Sequence, residues 1–187
     1  MPIGIQGVRR AHRSLFARLD RLEDPKARAR AFREYMALVF QAGKWRKESS
    51  PLGRRSMRNS YLRFLRGWMQ DASSPEGAVL KGWVESRFGL PPVFHAGLIE
   101  DVHAPAYFLY LAERMRESAR ANAVESQFDL LYGFVQDELR RRHPGEPAFT
   151  LYRGVKNLGD YRVIGKAREN RVVLRLNNLN SFSSRLE

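Results

Sequence analysis

Two short motifs near the C-terminal end of the sequence carry side chains that could bind a phosphorylated ligand. The first is Leu151-Tyr152-Arg153-Gly154, in which an arginine follows residues typical of a β-strand and precedes a glycine. The second is Ser181-Phe182-Ser183, in which two hydroxyls flank an aromatic ring. A guanidinium binds phosphate, a ring can stack on nicotinamide, and serines can orient ribose hydroxyls or a carboxylate. Taken alone, both motifs are more typical of a structural arginine and a serine turn.

Several other kinds of chemistry are excluded or disfavoured by the residue types present. The chain has no cysteine, so it has no disulfide, thiolate metal site or cysteine nucleophile. Its four histidines are scattered, without the spacing of a metal site, and we expect no metal. Gly165-Lys166-Ala167 resembles the end of a phosphate-binding loop, but Asp160 and Ala167 stand where that loop needs a glycine and a hydroxyl.

The net charge of +13 among 187 residues indicates an anionic partner, such as nucleic acid, an anionic membrane, a phosphorylated cofactor or an acidic protein. Residues 43–68 hold eight basic side chains and one acidic side chain. The aromatic residues of this segment, Trp45, Tyr61, Phe64 and Trp68, could stack on bases. Their helical spacing favours the hydrophobic core instead. A basic helical nucleic-acid-binding module is therefore the alternative hypothesis.

The apolar runs are too short for a membrane span, and the first twenty residues do not resemble a signal peptide. We expect a soluble, cytoplasmic protein that is not bound to a membrane.

Helical patterns fill the first three quarters of the chain. Asp24-Pro25 and Ser74-Pro75-Glu76 predict helix starts, and Pro105 predicts another. A further helix is expected from near Glu125 to His143-Pro144-Gly145. Gly43 and Gly89 are the predicted helix ends. Three helices have predicted apolar faces: Phe32, Tyr35, Met36, Val39 and Phe40 in the first; Tyr61, Phe64, Leu65, Trp68 and Met69 in the second; and Phe108, Leu111 and Met115 in the third.

The pattern changes after residue 146. Phe149–Tyr152 and Val172–Leu176 are strand candidates, separated by a basic stretch from Gly154 to Asn170. The expected fold class is therefore α+β, with a mainly helical domain over 1–146. Residues 147–187 are expected to begin a β-domain whose remaining strands are absent, since so small a sheet is marginal alone.

The order of the two motifs resembles that of the R-S-E class of ADP-ribosyltransferases. Longer blocks make the resemblance more specific: Asn59–Trp68, Pro75–Leu90, Tyr152–Tyr161 and Asn177–Ser184 are similar to the dinitrogenase reductase ADP-ribosyltransferase family. The similarity extends from about Lys44 to Ser184 and implies an incomplete ADP-ribosyltransferase-type β-domain that binds NAD⁺.

The resemblance implies roles for the residues of both motifs. Members of that family move ADP-ribose from NAD⁺ to an arginine of dinitrogenase reductase and so switch off nitrogen fixation. By position, Arg153, between Tyr152 and Gly154, should hold the NAD⁺ phosphate and nicotinamide-ribose side. Ser181 should orient the catalytic carboxylate, and Phe182 and Ser183 should complete the nicotinamide pocket. The resemblance also implies regulation through a PII-type signal protein.

The sequence departs from the family pattern at the catalytic glutamate. The R-S-E class requires a glutamate on a later strand, whereas Glu187 follows Ser183 by four residues. We do not expect Glu187 to be that residue, and we expect the 187-residue chain to be a truncated, inactive form. A non-catalytic fragment that docks an acidic protein is a further alternative.

Overall fold

Helices fill the described part of the chain as far as Arg142, and a β-hairpin follows them. The computed structural model describes residues 3–40, 60–119, 123–146, 148–155, 161–168 and 171–185. The helices within these ranges are α1 (Val8–Ala11), α2 (Arg13–Asp20), α3 (Pro25–Val39), α4 (Tyr61–Gln70), α5 (Pro75–Phe88), α6 (Pro105–Ser118) and α7 (Val124–Arg142). The strands are β1 (Arg162–Arg168) and β2 (Arg171–Arg175). The α+β, mainly helical fold class is confirmed.

Local sequence signals set the ends of several helices. The Asp24 carboxylate accepts hydrogen bonds from two backbone N–H groups at the start of α3, and the Ser74 hydroxyl accepts one from Gly77 at the start of α5. These side chains satisfy amides that the first helical turn leaves without partners. Gly89 ends α5 with a φ of +66°, a conformation that glycine adopts without steric cost. The predicted end at Gly43 lies outside the described residues.

The hydrophobic core lies around α5, whose central residues 77–84 are buried on every side. It is formed by Leu15, Phe16, Leu19, Ala31, Phe32, Met36, Phe40, Tyr61, Phe64, Val79, Leu80, Trp83, Val84, Val124, Phe128 and Leu130. A helix buried all round needs neighbours on each side, and α4 and α6 both pack against α5. The α4 contact depends on Gly67, where a Cβ would lie 2.6 Å from Glu76 Cβ.

Some of the predicted apolar faces are wrong. Val39, Met69, Phe108 and Met115 are exposed, and in α6 the buried side chains are Tyr110 and Glu117. The periodicity gave the helices correctly, but it did not determine which side of α6 would contact α5. The wide spread of apolar residues around α6 allows more than one face to pack.

The two strands form an antiparallel pair that only partly matches the prediction. β2 agrees with the predicted strand at 172–176, whereas β1 arises from the stretch treated as a basic connection. Residues 149–152 do not form a strand; Tyr152 makes only an isolated bridge to Ser183. β1 lacks the period-2 alternation typical of a strand, since the consecutive Val163 and Ile164 are both exposed. It owes its conformation to pairing with β2.

Part of the positive charge stabilises the helical domain from within. Arg28 of α3 is buried and donates from Nε and Nη2 to the Glu138 carboxylate of α7. Its Nη1 donates to the carbonyls of Leu22 and Glu23. Within the described ranges, no helix has both the length and the apolar character needed to cross a bilayer.

Candidate functional site

The arginine and serine motifs meet in the structure, although 28 residues separate Arg153 from Ser181. The backbones of Tyr152 and Ser183 exchange two hydrogen bonds of 2.8 Å each. This bridge places the Arg153 guanidinium beside Ser181, where Nη1 donates to the carbonyl oxygen at 2.9 Å and to Oγ at 3.2 Å. One arm of the guanidinium is thereby held in a fixed position.

Arg153 lines a cavity of about 500 Å³ between the helical domain and the C-terminal segment. The volume lies within the range of small-ligand sites. The lining residues are Ala72, Val93, Phe94, Leu98, Ile99, Glu100, Arg153, Tyr161, Arg162, Arg175, Asn177, Leu179 and Asn180. The loop residues Val93, Phe94, Leu98 and Ile99 give the cavity an apolar wall, and three arginines also line it. This combination suits a ligand with a flat ring and phosphates.

The other predicted site residues lie near Arg153, but none of them, Ser181 included, is among the residues that line the cavity. Tyr152, Ser183 and Phe182 are exposed and are not among the lining residues. The Ser183 hydroxyl accepts a hydrogen bond from the backbone of Arg185. A Cβ on Gly154 would meet no protein atom within 4 Å, so packing does not require glycine there. Their proposed ligand roles stay predictions.

Asn177 joins the serine motif to the loop that forms the apolar wall. Its Oδ1 accepts from Val93 N at 3.1 Å, and its Nδ2 donates to Phe94 O at 3.0 Å. The loop itself is closed by hydrogen bonds between His95 and Gly97 and between Ile99 and Val93. Sequence reasoning treated the asparagines only as a polar connection. An asparagine can satisfy a backbone donor and acceptor together, and that capacity was the available signal.

Asn178 attaches the same segment to α5. Its Nδ2 donates to the carbonyls of Lys81 at 2.9 Å and Leu90 at 2.8 Å. The next residue, Leu179, packs against the hydrophobic core. The serine motif is therefore positioned by the helical domain rather than by a sheet.

Comparison with known proteins identifies the family of the chain. The model of the family described as dinitrogenase reductase ADP-ribosyltransferase matches residues 1–187. A protein of Rhodospirillum rubrum named NAD(+)--dinitrogen-reductase ADP-D-ribosyltransferase is 42% identical over 186 residues, which cover 97% of this chain and 67% of that relative. No solved structure matches the chain. The chain belongs to the dinitrogenase reductase ADP-ribosyltransferase family. The family resemblance drawn from the sequence motifs is confirmed.

Beneath the cavity, this member of the dinitrogenase reductase ADP-ribosyltransferase family has a fully buried lysine. Lys81 Nζ donates to Phe94 O at 2.8 Å and lies 3.2 Å from His95 Nδ1. His95 is also fully buried, and its Nε2 lies 2.9 Å from a Glu113 carboxylate oxygen. Phe94 O thus accepts from both Lys81 and Asn177, which links the network to the site.

The electrostatics of this network follow from its burial. Burial lowers the pKa of Lys81 to about 8, against the opposing effect of Asp71 and Glu113. Burial also lowers the pKa of His95, although its hydrogen bond to Glu113 opposes the shift. An ammonium group only donates, so neutral His95 accepts at Nδ1 and donates from Nε2–H to Glu113.

The structure also bears on the alternative nucleic-acid site. Tyr61 and Phe64 are buried in the core, so neither ring can stack on a base. Arg63 pairs with Glu76 and Glu117. The other basic residues of this segment between 43 and 59 lie outside the described residues. Within the described ranges, no three His, Asp or Glu side chains are close enough to share a metal ion.

Proposed function

We propose that this chain binds NAD⁺ and belongs to an enzyme that transfers ADP-ribose to an arginine of dinitrogenase reductase, and so inactivates nitrogen fixation. The family match and the substrates in the relative's name support the reaction. The observation that carries the proposal is the contact between Arg153 and Ser181, which joins the two motifs at the edge of one cavity.

The contact suggests how Arg153 acts. Its Nη1 is occupied by Ser181, whereas Nε and Nη2 have no hydrogen-bond partner in the described part of the chain. Two donors of a planar guanidinium then remain for a phosphate oxygen pair. Cleavage of the bond to nicotinamide develops positive charge on the ribose, as in glycoside hydrolysis. Ser181 is proposed to orient the carboxylate that stabilises this charge, and Phe182 and Ser183 to border the nicotinamide.

The transfer step needs that carboxylate against the ribose. Among the described residues, Glu100 is the single carboxylate lining the cavity, and it bonds to neither Arg153 nor Ser181. We therefore propose that residues 1–187 alone bind NAD⁺ and turn it over only at background. Control by a PII-type signal protein and a cytoplasmic location belong to the same proposal, as expectations from the family and the composition.

The test incubates labelled NAD⁺ and dinitrogenase reductase with the complete gene product, whatever its length, and, separately, with residues 1–187. Label on an acceptor arginine, located by mass spectrometry, supports the proposed reaction. Failure of the complete gene product to label dinitrogenase reductase would overturn it. Transfer by residues 1–187 alone would contradict the proposed need for a further carboxylate. A pull-down with a PII-type protein tests the regulatory part separately.

A further inference from the structure

Two arginines lie directly opposite each other in the hairpin. Arg162 of β1 pairs in register with Arg175 of β2. Side chains at such positions are about 5 Å apart at Cβ, and like charges there are destabilising. A pair of this kind lowers the stability of the hairpin unless an anion lies between or beside the two groups.

No protein group in the described ranges supplies that anion. Neither Arg162 nor Arg175 has an ion pair or a side-chain hydrogen bond there, although Glu100 lines the same cavity. Exposed arginines of the helices such as Arg10 and Arg13 also lack an ion pair among the described residues, and Arg162 and Arg175 differ from them in lining a cavity. Arg162 and Arg175 are thus left available for a ligand.

The position of the pair indicates what kind of anion would bind. Both side chains line the cavity that Arg153 lines, and apolar residues such as Val93, Leu98 and Ile99 line it as well. A concave site of about 500 Å³ suits a small molecule better than a protruding protein surface. Three guanidiniums and several apolar side chains in one cavity match two linked phosphates joined to a flat ring.

We propose that Arg162 and Arg175 form a second anion site, which binds the diphosphate of the dinucleotide together with Arg153. The inference rests on the proposed function and adds two ligand-binding residues to it. Each arginine can donate two parallel hydrogen bonds to a phosphate. Filling the site also removes the repulsion between the two guanidiniums, so ligand binding stabilises the hairpin.

The hairpin offers a matched control. Arg168 and Arg171 form another in-register arginine pair on the same two strands, and neither lines the cavity. The double variant Arg162→Gln/Arg175→Gln and the control Arg168→Gln/Arg171→Gln therefore change the net charge equally. Binding of ADP-ribose, and of adenosine as a probe without phosphate, is measured on the 187-residue chain by titration calorimetry.

We expect the first double variant to bind ADP-ribose about 10- to 100-fold more weakly, since charged hydrogen bonds are lost. The control should bind ADP-ribose like the unsubstituted chain, and adenosine binding should be the same in all three. Equal losses in both variants would reduce the effect to overall charge and overturn the site. No loss in either variant, or no binding of ADP-ribose to the unsubstituted chain, would also overturn it.

Two further measurements separate this inference from related ideas. If the double variant does not fold, the single variants Arg162→Lys and Arg175→Lys are used, because they keep the charge and remove the planar guanidinium. A loss of ADP-ribose affinity of less than twofold in both would contradict the inference. A higher KM for dinitrogenase reductase with unchanged ADP-ribose binding would assign the pair to the acceptor protein instead. ADP-ribose binding without transfer by the complete gene product would overturn only the proposed function.

Discussion

At the scale of single residues, the arginine of the first motif is held by the second motif. Arg153 donates to the carbonyl oxygen and to Oγ of Ser181, which fixes the direction of its remaining donors. A lysine at 153 would keep the charge but could not contact Ser181 and a phosphate in one plane.

We therefore expect Arg153→Lys to lower kcat/KM for NAD⁺ by about 10- to 100-fold, since charge-assisted hydrogen bonds are lost. Initial rates of transfer by the complete gene product measure the effect, and Arg168→Lys is the matched control on the hairpin. A variant with unchanged kcat/KM would show that Arg153 does not contact NAD⁺.

Ser181 holds Arg153 through two oxygens, only one of which belongs to the side chain. Ser181→Ala removes the longer contact, at 3.2 Å, and leaves the carbonyl contact at 2.9 Å. We expect a loss of about tenfold in kcat, from poorer positioning of the carboxylate and of Arg153. Ser184→Ala, in the same exposed stretch, is the control. An equal effect of both changes would identify Ser181 as an ordinary turn serine.

Lys81 gives a prediction about pH. Its pKa is about 8 in the folded protein and near 10.5 in the unfolded chain. Between these values the unfolded chain binds more protons, so the free energy of unfolding rises with pH. From pH 7 to pH 9.5 the gain attributable to Lys81 is about 2 kcal/mol.

The measurement is urea unfolding at pH 7 and pH 9.5 for the unsubstituted chain and for Lys81→Met. The substitution removes the gain, while burial raises the pKa of Tyr61 and of Tyr110 in both proteins, so their effects cancel in the comparison. Asp71, Glu113 and His95 face the lysine in both proteins as well. The same pH dependence in the two proteins would mean that Lys81 keeps an ordinary pKa.

At the scale of elements, residues 177–180 connect the site to the helical domain. Asn178 Nδ2 donates to two carbonyls. One belongs to Lys81 within α5, and the other belongs to Leu90, two residues after the end of α5. Removing this amide takes one donor from each carbonyl, and each lost hydrogen bond costs about 0.5–1.5 kcal/mol.

We expect Asn178→Ala to destabilise the chain by about 1–3 kcal/mol and to loosen the serine motif from α5. Hydrogen exchange followed by mass spectrometry should show faster exchange over 177–183, and NAD⁺ binding should weaken with it. Asn180→Ala is the control for loss of an asparagine in the same segment. We expect it to destabilise the chain less, because Asn180 donates to Asn177 O within the segment and not to the helices. Unchanged exchange in Asn178→Ala would contradict the anchoring role.

At the scale of the whole molecule, burial is concentrated in the helical domain. The core residues belong to helices and to the loop at Phe40, whereas Val163, Ile164, Val172 and Val173 of the hairpin are exposed. A two-stranded sheet with exposed apolar side chains is marginal in water. The helices and the hairpin should therefore differ in local stability.

In the free chain, we expect slow hydrogen exchange in α5 and α7 and fast exchange in β1 and β2. Residues 177–180 should exchange at an intermediate rate, because they are bonded to the helical domain. Exchange in the hairpin as slow as in α5 would contradict this order. Added ADP-ribose should slow exchange in the hairpin if Arg162 and Arg175 bind it.

The sequence by itself determined the helices from α3 to α7, the family and the two motifs, but it did not predict α1 or α2. Caps and prolines such as Asp24-Pro25 and Ser74-Pro75 act within one turn, so they are readable from neighbouring residues. The family resemblance depended on blocks of sequence, and Arg153 and Ser181 were found through their motifs. Their contact could not be derived from spacing, since it depends on a backbone bridge between residues far apart in the chain.

Only the tertiary structure decided how the cavity is built. β1 has no clear strand pattern until β2 pairs with it, so the opposition of Arg162 and Arg175 was not visible in the sequence. The loop at Val93 is held by its hydrogen bond to Asn177. Residues 177–180 are held to α5 by the hydrogen bond between Asn178 and Lys81, which lie almost 100 residues apart in the chain. Such contacts are set by packing between elements, whereas caps, turns and periodicity in the sequence report only local conformation.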